Sequence, residues 1–129
     1  MLPRDQIAKM LGTTKNISLN TLKLPPKATE GKACSYAGQE NAATVILIKF
    51  ESPAAARAYL ETVRKGLEKQ SMKTISAKFD GEDGFSFING MIAVKKNTWL
   101  RVNVNTRDGQ KVVNLELTRQ LLTLALQAN

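Results

Sequence analysis

The stretch that decides the fold is DGFSFINGMIAVKKNTWLRVNV, residues 83–104. It contains three runs rich in apolar and β-branched residues, at 85–88, 91–95 and 99–104, and a short turn separates each run from the next. Asn89-Gly90 is the strongest two-residue hairpin signal, and Lys96-Asn97 predicts the second turn. The three runs therefore predict an antiparallel meander.

The strands expected upstream extend this sheet. Residues 43–50 place apolar side chains toward both faces near their middle, which is typical of a strand inside a sheet. A shorter strand is expected at 33–36, with a turn over 37–41 between the two. The polar 13–32 arm has room for one short strand near 17–22.

Helices are predicted in three places. Ser52-Pro53 is a strong helix start, and apolar residues at helical spacing carry that helix over 53–69. Pro3 and Gly12 bound a short amphipathic N-terminal helix. A leucine-rich helix is expected from about Asn114, although 112–117 also fits a last strand. The sequence thus predicts a single α+β domain over 1–129, an antiparallel sheet of four to five strands with two main helices packed on it and the short N-terminal helix.

The DGFSFI segment, residues 83–88, has a glycine followed by alternating phenylalanines, as in the RNA-reading strand of an RRM. Asp83 stands where that motif needs a cation, and the segment directly follows the helix instead of lying one hairpin later. We therefore expect Phe85 and Phe87 to pack in the core instead of stacking on bases. The predicted core consists of Ile46, Ile48, Phe50, Tyr59, Val63, Leu67, Phe85, Phe87 and Val102.

Composition argues against an enzyme. The chain has no histidine, and its one cysteine, Cys34, excludes an intrachain disulfide. The acidic FDGEDG segment, residues 79–84, lacks the ligand spacing of a calcium loop, so Asp80-Gly81 and Asp83-Gly84 are interpreted as turns. No phosphate-cradling glycine loop is present. We expect no catalytic residues, no metal site and no cofactor.

Charge and the single tryptophan point to one candidate binding site. The formal charge of +8 is spread thinly along the chain, a pattern typical of solubility that also attracts anionic partners. Trp99 alternates with Arg101 on the strand face opposite Leu100, so it is either half buried by the N-terminal arm or exposed for binding. If the adjoining turn brings Lys95 and Lys96 near them, Trp99, Arg101, Lys95 and Lys96 form a ligand or partner site.

Several short strings resemble a known group of proteins. IAKMLG, CSYAG, ESPAAARAYLETVRKGL, GEDGFSF and IAVKKNTWLRV, followed by a C-terminal helix, resemble small exported bacterial domains, many of them lipoproteins of unknown function. The arrangement is also similar to PsbP-like α/β/α sandwiches. The resemblance implies an exported α+β domain and supplies no catalytic residues.

These observations lead to two expectations about function. The first is a non-enzymatic binding or accessory module of the bacterial cell envelope, exported with its signal removed, whose partner is a protein or an anionic envelope component. The alternative is a cytoplasmic nucleic-acid-binding protein that uses the dispersed basic surface. The longest uncharged apolar run, Ala42–Ile48, is too short to cross a bilayer, so no transmembrane segment is expected. The oligomeric state is left open.

Overall fold

A computed structural model describes residues 15–19, 23–38, 41–106 and 113–128. The strands are β1 (Lys15–Leu19), β2 (Ala28–Ala37), β3 (Asn41–Phe50), β4 (Ile75–Phe79), β5 (Glu82–Phe87), β6 (Gly90–Lys95) and β7 (Thr98–Thr106). The helices are α1 (Pro53–Lys69) and α2 (Leu115–Ala128). The predicted α+β class is confirmed. The short helix expected at residues 3–12 lies outside the described residues.

All seven strands form one antiparallel sheet in the order β1-β2-β3-β7-β6-β5-β4. The sheet therefore has more strands than the four or five expected. The missed strand is β4, although its sequence ISAKF alternates the apolar residues Ile75, Ala77 and Phe79 with polar ones. Asp80 and Gly81 adopt φ values of 51° and 80°, the positive values that a tight two-residue hairpin turn needs, and so fold β4 back onto β5. The turn and the alternating run together pair this segment with β5 as an edge strand.

The meander β5-β6-β7 is confirmed, with two local corrections. The first hairpin closes at Phe87 and Gly90, so its loop is Ile88-Asn89, one residue earlier than predicted. Gly90 instead opens β6, where a Cβ would lie 2.6 Å from the Val102 carbonyl oxygen. The interpretation of Asp83-Gly84 as a turn is wrong, because both residues lie inside β5.

The helix predicted over 53–69 begins at the predicted residue, and the structure defines the start of α2, which the sequence left open. The Ser52 hydroxyl accepts a hydrogen bond of 3.1 Å from the Ala55 amide, and Pro53 occupies the first helical position. The Asn114 side-chain oxygen accepts a hydrogen bond of 3.0 Å from the Leu117 amide, and α2 starts one residue after Asn114. Val113 makes only an isolated bridge to Asn105, so the alternative of a last strand over 112–117 is not what forms.

The helices lie on opposite faces of the sheet and bury two apolar clusters. On one face, α2 packs on side chains of β3, β4, β6 and β7; on the other, α1 packs on Phe85, Phe87, Trp99 and their neighbours. Phe85 and Phe87 are core residues, as predicted. Of the predicted core, Ile48, Phe50, Phe85, Phe87 and Val102 are buried and Ile46, Tyr59, Val63 and Leu67 are partly buried.

Candidate functional site

The predicted binding residues do not come together on one surface. Trp99 is only 3% exposed, because α1 covers it and the Tyr59 ring meets it edge-on with centroids 5.0 Å apart. Lys95 reaches to the other face of the sheet, where its Nζ donates a hydrogen bond of 2.8 Å to the carbonyl of Leu126 near the end of α2. Lys96 is exposed in the turn between β6 and β7.

Arg101 does lie on the same face as Trp99, as strand alternation predicts. Its guanidinium stacks over the Phe87 ring at 5.2 Å and is half-buried beneath α1. Burial lowers the pKa of Arg101, an effect that Tyr59 opposes. The expected cover for Trp99 was the N-terminal arm, whereas the observed cover is α1. Trp99, Arg101, Lys95 and Lys96 thus form no joint exposed patch, and a binding role for them stays a prediction.

A groove at one end of the sheet has the clearest features of a binding surface. This apolar groove has a volume of about 680 Å³. It is lined by Ser71, Met72, Lys73, Ile75, Ser86, Phe87, Ile88, Val113 and Leu115. These residues come from the loop after α1, from β4, from the end of β5 and the turn that follows it, and from the start of α2 and the residues just before it.

Large apolar side chains stay in contact with solvent in this groove. Ile75, Ile88 and Leu115 are 58%, 72% and 58% exposed. Among the described residues, the one other large hydrophobic side chain that is comparably exposed is Leu24, at 42%, and it lies outside the groove. Scattered apolar residues on a surface need no explanation, but a contiguous patch marks an interaction site.

A second cavity, the basic cleft, lies between α1 and the β4-β5 hairpin and has a volume of about 520 Å³. Arg57, Glu61 and Arg64 reach it from successive turns of α1. Ser76 and Lys78 reach it from β4. The cleft exists because α1 packs mainly over β3, β6 and β7, which leaves this side of β4 uncovered.

The charged groups of the cleft are unequally paired. Lys78 forms an ion pair with its cross-strand neighbour Asp83, and the hydrogen bond and charge of Lys78, with a smaller contribution from Arg57, lower the pKa of Asp83. Arg64 donates a 2.9 Å hydrogen bond to the Ser76 hydroxyl and stacks over Phe85. Its Nε lies 3.9 Å from a Glu61 carboxylate oxygen. Within the described part of the chain, Arg57 makes no ion pair.

Sequence reasoning missed the groove because its residues come from segments far apart in the chain. One local signal was available: Ile88 stands beside Asn89 at a hairpin turn, where a polar residue is usual. Leu115 gives a similar signal at the solvent-facing start of α2. Neither signal shows that the two side chains meet.

Further observations concern metals, membranes and relatives. No group of three or more His, Cys, Asp or Glu side chains among the described residues could hold a metal ion. In the same residues, no helix is both long and apolar enough to span a membrane. No protein-family model, no curated protein and no solved structure matches this chain.

Proposed function

We propose that this chain is a non-enzymatic binding module that holds a protein partner in its apolar groove. The observation that carries the proposal is the clustering of Ile75, Ile88 and Leu115 in one groove with more than half of each side chain exposed. Covering such side chains with a partner would contribute roughly 1 to 2 kcal/mol each. A partner protein with apolar side chains is therefore the occupant that this surface favours.

We place the module in the bacterial envelope, exported with its signal removed. This placement rests on the resemblance of CSYAG, GEDGFSF and IAVKKNTWLRV to small exported bacterial domains. An anionic envelope component is a less suitable occupant of the groove itself, because Lys73 is the one cation among its lining residues.

The competing function, nucleic-acid binding in the cytoplasm, draws its support from the +8 charge. Single-stranded nucleic acids are usually held by aromatic side chains that stack on bases. Trp99, Phe85 and Phe87 are buried under α1 and are not offered for stacking. The apolar groove therefore supports a protein partner better than the charge supports a nucleic acid.

The proposal is tested by selecting short peptides from a random display library against the full chain. Ile88→Glu and Leu115→Glu should each weaken binding of the selected peptides by about tenfold or more, since each places a charge where the peptide buries apolar surface. Leu24→Glu is the matched control, because it makes the same change at an exposed apolar residue outside the groove. Isothermal titration calorimetry measures the affinities, and circular dichroism checks the fold.

Two results would contradict the groove as the binding site. One is that the selected peptides bind the Ile88→Glu and Leu115→Glu variants as tightly as the parent chain. The other is that Leu24→Glu weakens them to the same extent.

A further inference from the structure

The β4 strand is an edge of the sheet formed by the described residues. Among the described strands it pairs with β5 alone. The outer peptide groups of an edge strand have no ladder partner and can pair with another chain. The strand is short and carries Lys78, two features that limit nonspecific pairing of an edge, and it begins at an exposed apolar residue, Ile75.

Both cavities border this edge, and β4 side chains from opposite faces of the sheet line them. Ile75 of β4 lines the apolar groove, while Ser76 and Lys78 line the basic cleft. Side chains of a strand alternate between the two faces, so a strand added beside β4 would also direct alternate residues to the two sides. One set would approach the groove and the other would approach the cleft.

The charge around the edge is predominantly positive. The two cavities together are lined by the cations Arg57, Arg64, Lys73 and Lys78 and by the carboxylates Glu61 and Asp83. Lys78 pairs with Asp83 and Arg64 is near Glu61, so Arg57 and Lys73 are the two cations without a carboxylate within ion-pair distance among the described residues. Of these two, Arg57 is the one that lines the basic cleft. A carboxylate on the incoming strand would complement Arg57.

We propose that the free edge of β4 binds an extended acidic peptide segment of the partner by strand addition. Apolar residues of the segment lie toward the apolar groove, and alternate acidic residues lie toward Arg57 and Arg64 in the basic cleft. This inference rests on the proposed function and names the chemistry of the partner at that same site. Backbone pairing supplies affinity in this mode of recognition, and the alternate side chains supply specificity.

The test uses synthetic peptides about as long as β4 or slightly longer. The probe alternates valine and glutamate. One control peptide replaces glutamate with lysine. A second control peptide is N-methylated at alternate peptide nitrogens, which removes the hydrogen-bond donors that pairing with β4 needs. Fluorescence anisotropy with the full chain should show binding of the probe and a loss of about tenfold or more for each control.

Two variants of the chain separate local charge from overall charge. Arg57→Glu should weaken binding of the valine–glutamate probe by about tenfold. Lys96→Glu makes the same charge change at an exposed residue in the turn between β6 and β7, which lines neither cavity, and should change the affinity less than about twofold. A third variant, Asp83→Asn, frees Lys78 from its ion pair and should strengthen binding of the valine–glutamate probe.

The outcomes distinguish this inference from the proposed function. In one outcome, Ile88→Glu abolishes peptide binding, the lysine and N-methylated peptides bind as tightly as the valine–glutamate probe, and Arg57→Glu binds the probe as tightly as the parent chain. The groove then binds a partner, but acidic strand addition is overturned. If Arg57→Glu and Lys96→Glu weaken the probe equally, the attraction is one of overall charge and the inference is also overturned. If no groove variant affects any peptide, both the function and the inference are wrong.

Discussion

The two helices cover the two faces of the sheet in different ways. Helix α2 is sealed against its face, with Leu121, Leu122, Ala125 and Leu126 fully buried. Helix α1 fully buries only Ala56 and Leu60, and its remaining apolar residues are partly exposed. The cluster under α2 is mostly aliphatic on the helix side, whereas the one under α1 is built around large aromatic rings.

The buried polar groups on the two faces of the sheet also differ in how well they are hydrogen-bonded. On the α2 face, the Thr118 hydroxyl accepts a 3.0 Å hydrogen bond from the Val104 amide and donates one of 2.6 Å to the Asn114 carbonyl. On the α1 face, the indole Nε1 of Trp99 is buried without a hydrogen-bond partner among the described residues. Arg64 Nε on the α1 side is also buried without a hydrogen-bond partner in that part of the chain, and on the α2 side strand alternation places one such atom, Asn41 Oδ1. Buried polar groups are usually paired, so the α2 face is the better satisfied of the two. The comparison indicates that α2 mainly stabilises the sheet, while the incomplete cover of α1 leaves room for a site beside β4.

The largest expected effect tests this difference with the same substitution on each helix. Leu122→Ala should lower the free energy of unfolding by about 2 to 5 kcal/mol, because it opens a cavity in the sealed cluster. Leu67→Ala on α1 should cost clearly less, about 1 kcal/mol, because that side chain is already partly exposed. Urea unfolding followed by circular dichroism measures both. Equal losses would show that the two helices contribute alike and would break the comparison.

A smaller effect concerns the hydrogen bonds under α2. Thr118→Val keeps the shape of the side chain but leaves the buried Val104 amide without its acceptor, so it should cost about 1 to 3 kcal/mol. Thr62→Val on α1 is the matched control, since the Thr62 hydroxyl bonds the Ala58 carbonyl at an exposed position. The same unfolding experiment should show a change of less than about 0.5 kcal/mol for that control. If Thr118→Val left the free energy of unfolding unchanged, water or a shifted backbone would have replaced the hydrogen bond to the Val104 amide.

The smallest effect compares the two tyrosines at alkaline pH. Burial, with Cys34 adding to it, raises the pKa of Tyr36 on the α2 face from 10.0 to about 12. Burial also raises the pKa of Tyr59 on the α1 face, but the charge of Arg101 opposes that shift. The neutral phenol is favoured in the folded state, so its contribution to stability is full below pH 10 and is lost as the pH rises toward 12.

Replacing each tyrosine by phenylalanine separates the two contributions. Tyr36→Phe should remove more of the alkaline loss of stability than Tyr59→Phe, since the shift at Tyr36 is the larger. Thermal unfolding at pH values from about 9 to 11.5 measures the difference, with each variant compared with the parent at the same pH. If Tyr59→Phe flattened the profile more, the α1 face would be the more tightly sealed one.

Local signals in the sequence predicted most of the fold. The Ser52-Pro53 start and helical spacing gave α1 with its observed bounds, and the turns at Asn89 and Asn97 gave the meander. Strand β4 was missed although it carries local signals, because Ile75, Ala77 and Phe79 alternate with polar residues and the Asp80-Gly81 turn follows them. The short alternating run and the Asp-Gly turn predict a hairpin only when they are considered together.

The candidate site was much harder to predict than the fold. Strand alternation correctly placed Trp99 and Arg101 on one face, but it contains no information on which helix covers that face. The same alternation within β6 directs Lys95 to the other face, where it meets the end of α2. Ile75, Ile88 and Leu115 are brought together only by the closing of β4 on β5 and by the path of the chain into α2.

The most direct test of the central claim is amide hydrogen exchange of the full chain with and without a bound peptide from the display selection. Binding at the apolar groove and the open edge predicts slower exchange at residues 75–79 and 86–88, with exchange in the paired strands β2 and β3 unchanged. Protection confined to other parts of the chain, with 75–79 and 86–88 exchanging as in the free protein, would contradict the account.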